Sequence, residues 1–356
     1  MEWLAGRRAL VPLVAFLTLI AIFDVLWQRQ STELTAAGIQ PADVVTSFYE
    51  KQEFVMDRQV RAYDGEAGDN WDTRHKLRWA YKAVEVSVYR FVEERTSRSM
   101  VRYAILIHYV AIFFLTFCFC LLILREVAGR LDAVTATLSM FAFVGLMSSI
   151  LHISGWEENY SPIEMMALAA AIYASLRRNL LLFFVTVFVA VSNRESGIAL
   201  GLVYPILNPS SFRIWIAGPL FGAAALALLN LALLRQPEFY SLRNFVVDPE
   251  TEFFTILNFY QFPASKWGPP LLHYLAFVAP VLLLAPWTVS SSQGRRALLL
   301  LLYYLLIFAV GSSIDNPFLF LVLIPIYALL FATAARPSPP STLVSGGNAE
   351  LTAKRE

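Results

Sequence analysis

Charge is what this chain has little of: 15% of its 356 residues are Asp, Glu, Lys or Arg, while 57% are hydrophobic. An ordinary soluble domain carries roughly 25% charged residues, so this balance excludes that class. A basic excess is missing as well, since the net charge is +1, and no nucleic-acid partner is expected. Cysteine is nearly absent. Cys118 and Cys120 lie two apart in an apolar run, where a helix turns them to different faces and no disulfide closes. The histidines, His75, His108, His152 and His273, are scattered without any His-x-x-x-His or Cys/His spacing, so no metal-ligating residues are read. Neither a phosphate-binding glycine loop nor a Gly-x-Ser-x-Gly elbow occurs, which leaves nucleotide hydrolysis and serine-hydrolase chemistry without support.

What is present is a succession of apolar runs of membrane-spanning length. They fall near 9–27, 103–124, 132–151, 162–176, 214–234, 270–288, 296–313 and 317–335, with two shorter ones at 180–193 and 197–209. The fold class expected is all-α: a polytopic membrane protein of about ten transmembrane or re-entrant helices. Arg7-Arg8 before the run 9–27 resembles a signal peptide, but the length of the run, Asp24 and the lack of a small-residue cleavage site make it a retained signal-anchor helix. Arg7-Arg8, Arg125 with Arg130, Arg177-Arg178, Arg213, Arg295-Arg296 and Arg336 fall at alternate ends of the runs, and the positive-inside rule makes those ends cytoplasmic. Both termini are then cytoplasmic. The alternation requires 180–193 to run outward and 197–209 to return, as short spans or as a broken, re-entrant pair.

Four regions follow. Residues 1–27 hold the first span, 28–102 an outer loop, 103–335 the helical bundle with a second outer loop at 235–268, and 336–356 a Pro, Ser and Gly rich disordered tail. The loop 28–102 carries 24 of the 55 charged residues, which makes it the main water-facing element. Within it Leu77, Tyr81, Val84, Val88 and Phe91 repeat at four and three, the pattern of an amphipathic helix lying on protein or on the bilayer surface. An earlier helix is expected from about Pro41 to Arg61.

Charge inside or beside a spanning run costs a few kcal/mol per group and survives because it is paired or functional. Asn193-Arg194-Glu195, between the two short runs, is the foremost case; Arg194 and Glu195 suit either a structural ion pair or a phosphate grip. Asp24 interrupts the outer end of the first span and is a candidate base, or an interfacial Asp that meets water. Asp64 lies in the turn-rich acidic stretch Tyr63 to Asp72. Arg78 closes the cluster Arg74, His75, Lys76, Arg78, able to hold an anionic headgroup or to form a solvated helix face. Glu157 and Glu158 stand between Trp156 and Tyr160, a mixture that suits sugar recognition or a solvated turn, and Arg243 lies in the second outer loop. All of these fall on one side of the membrane.

Four places resemble the GT-C-type integral-membrane glycosyltransferases, which take sugar from a polyprenyl-phosphate carrier. They are Asp24 leading into the long loop 28–102, Tyr63-Asp64-Gly65 within it, Ser192-Asn193-Arg194-Glu195-Ser196-Gly197, and Ile314-Asp315-Asn316-Pro317 leading to a proline-containing last span. The chain departs from the family pattern at Glu66 to Asp69, and at Asp315, where family members place an arginine. The resemblance implies an inverting transferase at the periplasmic face of a bacterial inner membrane. Asp24 or Asp64 would deprotonate an acceptor hydroxyl, and Arg194, Arg78 or Arg243 would neutralise the departing lipid phosphate. Asn193, Glu195, Glu157 and Glu158 would complete substrate binding. No cofactor is implied beyond the lipid-linked sugar donor, and a monophosphate donor makes a divalent metal dispensable without barring one. Partners are membrane lipids, polyprenyl-phosphate sugar and other membrane proteins. The rival readings are a non-catalytic scaffold subunit of a larger complex and a solute or lipid transporter.

Overall fold

The computed structural model describes residues 79–129, 160–209, 212–234, 285–286, 288–311 and 318–334, and these contain helices and no strand. In chain order they form α1 (Trp79–Arg95), α2 (Arg98–Ala128), α3 (Tyr160–Leu176), α4 (Leu180–Asn193), a 3-10 helix (Glu195–Leu202), α5 (Val203–Leu207), α6 (Phe212–Leu234), α7 (Ser292–Gly311) and α8 (Phe318–Ala334). Two of them contain stretches long and apolar enough to cross a membrane, Ala111–Ala128 in α2 and Phe212–Leu229 in α6. Shorter apolar helices cover Pro162–Leu176, Leu180–Asn193, Ser196–Leu207 and Val322–Ala334. The runs 9–27 and 132–151, most of 270–288, the expected helix from Pro41 to Arg61 and the tail lie outside the described residues.

Local chemistry sets the helix ends. Gly129 stops α2 in the left-handed region, φ 78, while its N–H returns to Arg125 O at 3.1 Å. Arg178 takes φ 55 in the tight turn 177–179, where Asn179 N–H reaches back to Ala174 O at 2.8 Å. Asn179 then caps α4, its Oδ1 accepting from Leu182 N–H at 3.0 Å. Because this turn is so short, α3 and α4 run antiparallel.

At the far end of α4 the chain reverses. Arg194 is extended, with φ −158 and ψ 147; its N–H ends the helix on Ala190 O at 2.9 Å, and its C=O accepts from Gly197 N–H at 2.9 Å. The 3-10 helix and α5 fold back along α4: Gly197 lies against the backbone of Ala190, the Phe183 and Tyr204 ring centroids are 5.3 Å apart, and Asn208 Nδ2 donates to Ser175 O at 2.8 Å. The outward and returning limbs expected of 180–193 and 197–209 are therefore a helical hairpin. Its outward limb is about 21 Å long, less than the roughly 30 Å of a bilayer core.

Small residues let the hairpin sit against α6. A Cβ on Gly201 would stand 2.6 Å from the backbone at Gly218, and one on Gly222 would stand 3.2 Å from Ile198 Cα. Gly218 and Gly222 are four apart on one face of α6, the small-xxx-small arrangement of close helix pairs. α8 lies at the centre, with residues 322–330 all buried, and the core also takes Leu168 and Ile172 of α3, Phe183 of α4, Leu200 and Leu300. Large apolar side chains also cover the outside: Leu181 is 77% exposed, Phe212 75% and Leu228 66%. Cys118 and Cys120 are free thiols, Cys120 packed in the interior.

The basic helix ends lie together. Arg177 pairs with Glu126 at 3.2 Å, which joins the ends of α2 and α3, and Arg296 Nη1 donates to Leu207 O at 2.9 Å, which joins α7 to the end of the returning limb. The tip of the hairpin, at Arg194, is at the other end of the bundle.

Of the two coverings expected for the apolar row of α1, protein or bilayer surface, it is not the protein that covers Val84, Val88 and Phe91: they point away from it, more than half exposed in each case. The face packed on the bundle carries Glu85, Val86 and Tyr89. Of the apolar repeat read from sequence, Val84, Val88 and Phe91 thus mark the side of α1 away from the protein, while Tyr81 turns to His108, and Glu85 and Tyr89 occupy the buried side.

Candidate functional site

Glu164 is the residue around which the hairpin tip is built. It sits one turn into α3, just after Pro162 in a first-turn position that spares a backbone donor. Its side chain is 1% exposed. Ser196 Oγ donates to Glu164 Oε1 at 2.8 Å, and Arg194 Nη1 stands 3.9 Å from Oε2. Arg194 itself is 8% exposed and Asn193 1%. The Glu164 charge also reaches the buried phenol of Tyr304 on α7.

The extended backbone at Arg194 is what brings these groups together. Had α4 continued as a helix, residues 194 and 196 would have pointed nearly opposite ways at 100° per residue. Breaking the helix at 194 turns the guanidinium and the Ser196 hydroxyl onto one carboxylate. The returning limb is then held at two levels by side chain to backbone bonds: Tyr303 Oη donates to Ala199 O at 3.0 Å, and near its end Arg296 donates to Leu207 O and Asn208 to Ser175 O.

Chemically, the arrangement is a guanidinium 3.9 Å from a buried carboxylate that accepts a hydroxyl's hydrogen bond. A guanidinium so placed offers planar donors suited to a phosphate. The same pair also serves as a buried structural bridge.

Of the residues singled out from the sequence, Asn193 and Arg194 stand buried at this tip, and Glu195 begins the 3-10 helix. Asp24, Asp64, Arg78, Glu157, Glu158 and Arg243 lie outside the described residues. Glu164 and Ser196 were missed. Glu164 is the one charged residue in the apolar run 162–176, the same test that picked out Arg194.

A second buried polar cluster joins α1 to α2. Tyr89 Oη donates to Glu85 Oε1 at 3.0 Å and lies 2.9 Å from His108 Nδ1, which is 3.4 Å from the same carboxylate oxygen. Tyr81 Oη meets His108 Nε2 on the other edge of the imidazole, and the two rings stack with centroids 5.8 Å apart. Because Tyr89 gives its proton to Glu85, its oxygen accepts from His108 Nδ1–H, which leaves Nε2 to accept from Tyr81. Burial, and after it the Glu85 charge, raises both phenols well above their ordinary pKa, so they remain hydroxyls across the working range. Glu85 is 1% exposed at its side chain and His108 24%, which makes His108 the cluster's opening to its surroundings.

Among the described residues no group of three or more His, Cys, Asp or Glu could hold a metal ion. Comparison with protein-family models, with curated proteins and with solved structures finds no match.

Proposed function

We propose that this chain is a membrane-embedded glycosyltransferase that moves a sugar from a polyprenyl-phosphate carrier to an envelope acceptor, with inversion, at the periplasmic face of a bacterial inner membrane. The observation that carries the reading is the Glu164, Arg194 and Ser196 group: charge kept inside an apolar bundle, at the end away from the paired basic helix ends. By the positive-inside rule that end is periplasmic, and the chain crosses the membrane about ten times with both termini in the cytoplasm. Arg194 would neutralise the lipid phosphate as the glycosidic bond breaks, and Glu164 and Ser196 would hold the fork in place. A phosphate leaving group needs charge stabilisation rather than protonation, which suits this division of roles. An acceptor hydroxyl must also lose its proton to a base on the outer face, a role for which the sequence offers Asp24 and Asp64.

The test uses the full chain in lipid nanodiscs with a polyprenyl-phosphate hexose and an envelope extract as acceptor source, reading release of polyprenyl phosphate. Arg194→Gln should lower release by about 10²- to 10³-fold, the usual loss for one stabilising donor, and Arg194→Lys should restore part of it. A wild-type chain that releases nothing and does not bind the donor would refute the proposal. The scaffold reading is favoured by the outward row Val84, Val88 and Phe91; under it, Arg194→Gln would lose assembly with partner membrane proteins and no turnover would be found.

A further inference from the structure

The transferase reading leaves the α1–α2 cluster without a task, although it contains a buried carboxylate, an imidazole and two phenols in one bonded series. Its height in the bundle bears on what it does. Eighteen residues of α2 separate Glu126 from His108, and thirteen separate Arg177 from Glu164. At 1.5 Å per residue, His108 stands about 27 Å and Glu164 about 20 Å above the shared Arg177–Glu126 pair. The two clusters therefore differ by about two turns or less along the bundle axis. α1, which carries Glu85, packs against both α2 and α4, the helix that ends at Arg194.

We infer that Glu85, His108 and Tyr81 form the proton-accepting group of the transfer reaction, and this rests on the proposed function above. Glu85 and Tyr89 hold His108 through Nδ1, fixing the tautomer whose Nε2 carries the free electron pair. Nε2 is directed at the Tyr81 hydroxyl. An acceptor alcohol hydrogen-bonded to Tyr81 passes its proton to the Tyr81 oxygen as the Tyr81 proton moves to Nε2. The alcohol oxygen forms the new bond to the anomeric carbon, and the bond from that carbon to the phosphate oxygen breaks with its electron pair. The products are the glycoside, the polyprenyl phosphate anion and an imidazolium stabilised by Glu85, which returns its proton to water. The acceptor class is a hydroxyl-bearing sugar or lipid headgroup that reaches the first turn of α1, where Tyr81 meets His108 of α2.

The experiment compares wild type, His108→Gln, Glu85→Gln, Tyr81→Phe and Asp24→Asn as full chains in nanodiscs, reading donor affinity, kcat and KM with the polyprenyl-phosphate hexose. His108→Gln should lower kcat by about 10²- to 10⁴-fold with donor affinity unchanged, the span usual for a lost general base. Glu85→Gln, which removes the carboxylate held beside Nδ1, should also lower kcat with donor affinity unchanged. Tyr81→Phe keeps the stacked ring and isolates the hydroxyl, so it reports even if His108→Gln fails to fold. Full kcat in both His108→Gln and Tyr81→Phe overturns the inference while leaving the transferase reading standing, as does a kcat abolished only by Asp24→Asn. A wild-type chain that neither binds nor turns over the donor overturns both.

Discussion

Arg194 and Glu164 are each other's counter-charge in a place where water supplies little, and this sets what their loss should cost. Two buried ions repay their desolvation only when both are present, so removing one leaves the other stranded, at about 3–5 kcal/mol. Glu164→Leu and Arg194→Met should therefore each lower stability by about that amount, and the double variant should recover most of it, since a buried pair exchanges for apolar side chains of similar bulk at little loss. Thermal melting of the four proteins in one detergent provides the cycle. A coupling near zero would mean that the pair contributes nothing to the fold. Arg194 was legible in the sequence because it interrupts apolar runs. Glu164 met the same criterion, yet a lone carboxylate near the start of a helix also reads as a partner for the helix dipole. Nothing in one sequence joins two residues on different helices, so the pairing itself was out of reach.

At the scale of elements, the hairpin depends on backbone contact between the 3-10 helix and α6. Gly201 and Gly218 touch with no room for a Cβ, since one on Gly218 would come within 2.1 Å of Gly201 O. Gly201→Val should thus force the returning limb off α6 and destabilise the chain by about 1–3 kcal/mol or more, the range for overpacking. Ala223 on the exposed face of α6 is the control, and Ala223→Val, which adds bulk at the surface, should change the melting temperature little. Equal melting temperatures for the two variants would remove the close packing from the account. The hairpin was visible beforehand through the alternation of arginines, which required 180–193 to run out and 197–209 to come back. The orientation of α1 was not. Its apolar repeat at four and three is genuine, but periodicity identifies a face without saying what covers it, and Glu85 and Tyr89 take the buried side through their bonds to His108.

For the whole molecule, the shared end of α2, α3, α5 and α7 makes a prediction about sidedness that needs no knowledge of substrate. Arg178 and Pro209 flank the two limbs of the hairpin, and both are exposed where the basic residues gather. Ser97, in the connection between α1 and α2, is exposed at the other end. If the positive-inside reading holds, a membrane-impermeant maleimide applied to intact spheroplasts should label Ser97→Cys and leave Arg178→Cys and Pro209→Cys untouched until lysis. The background should be low, because Cys120 is interior and Cys118 lies within an apolar helix. The two halves of the claim fail separately. Labelling of Arg178→Cys and Pro209→Cys from outside, with Ser97→Cys protected, would invert the orientation and move the Glu164–Arg194 site to the cytoplasmic side, away from a periplasmic acceptor. Labelling of Arg178→Cys and Pro209→Cys from opposite sides would break the hairpin itself, because a limb that returns to Ser175 must leave both ends on the same face.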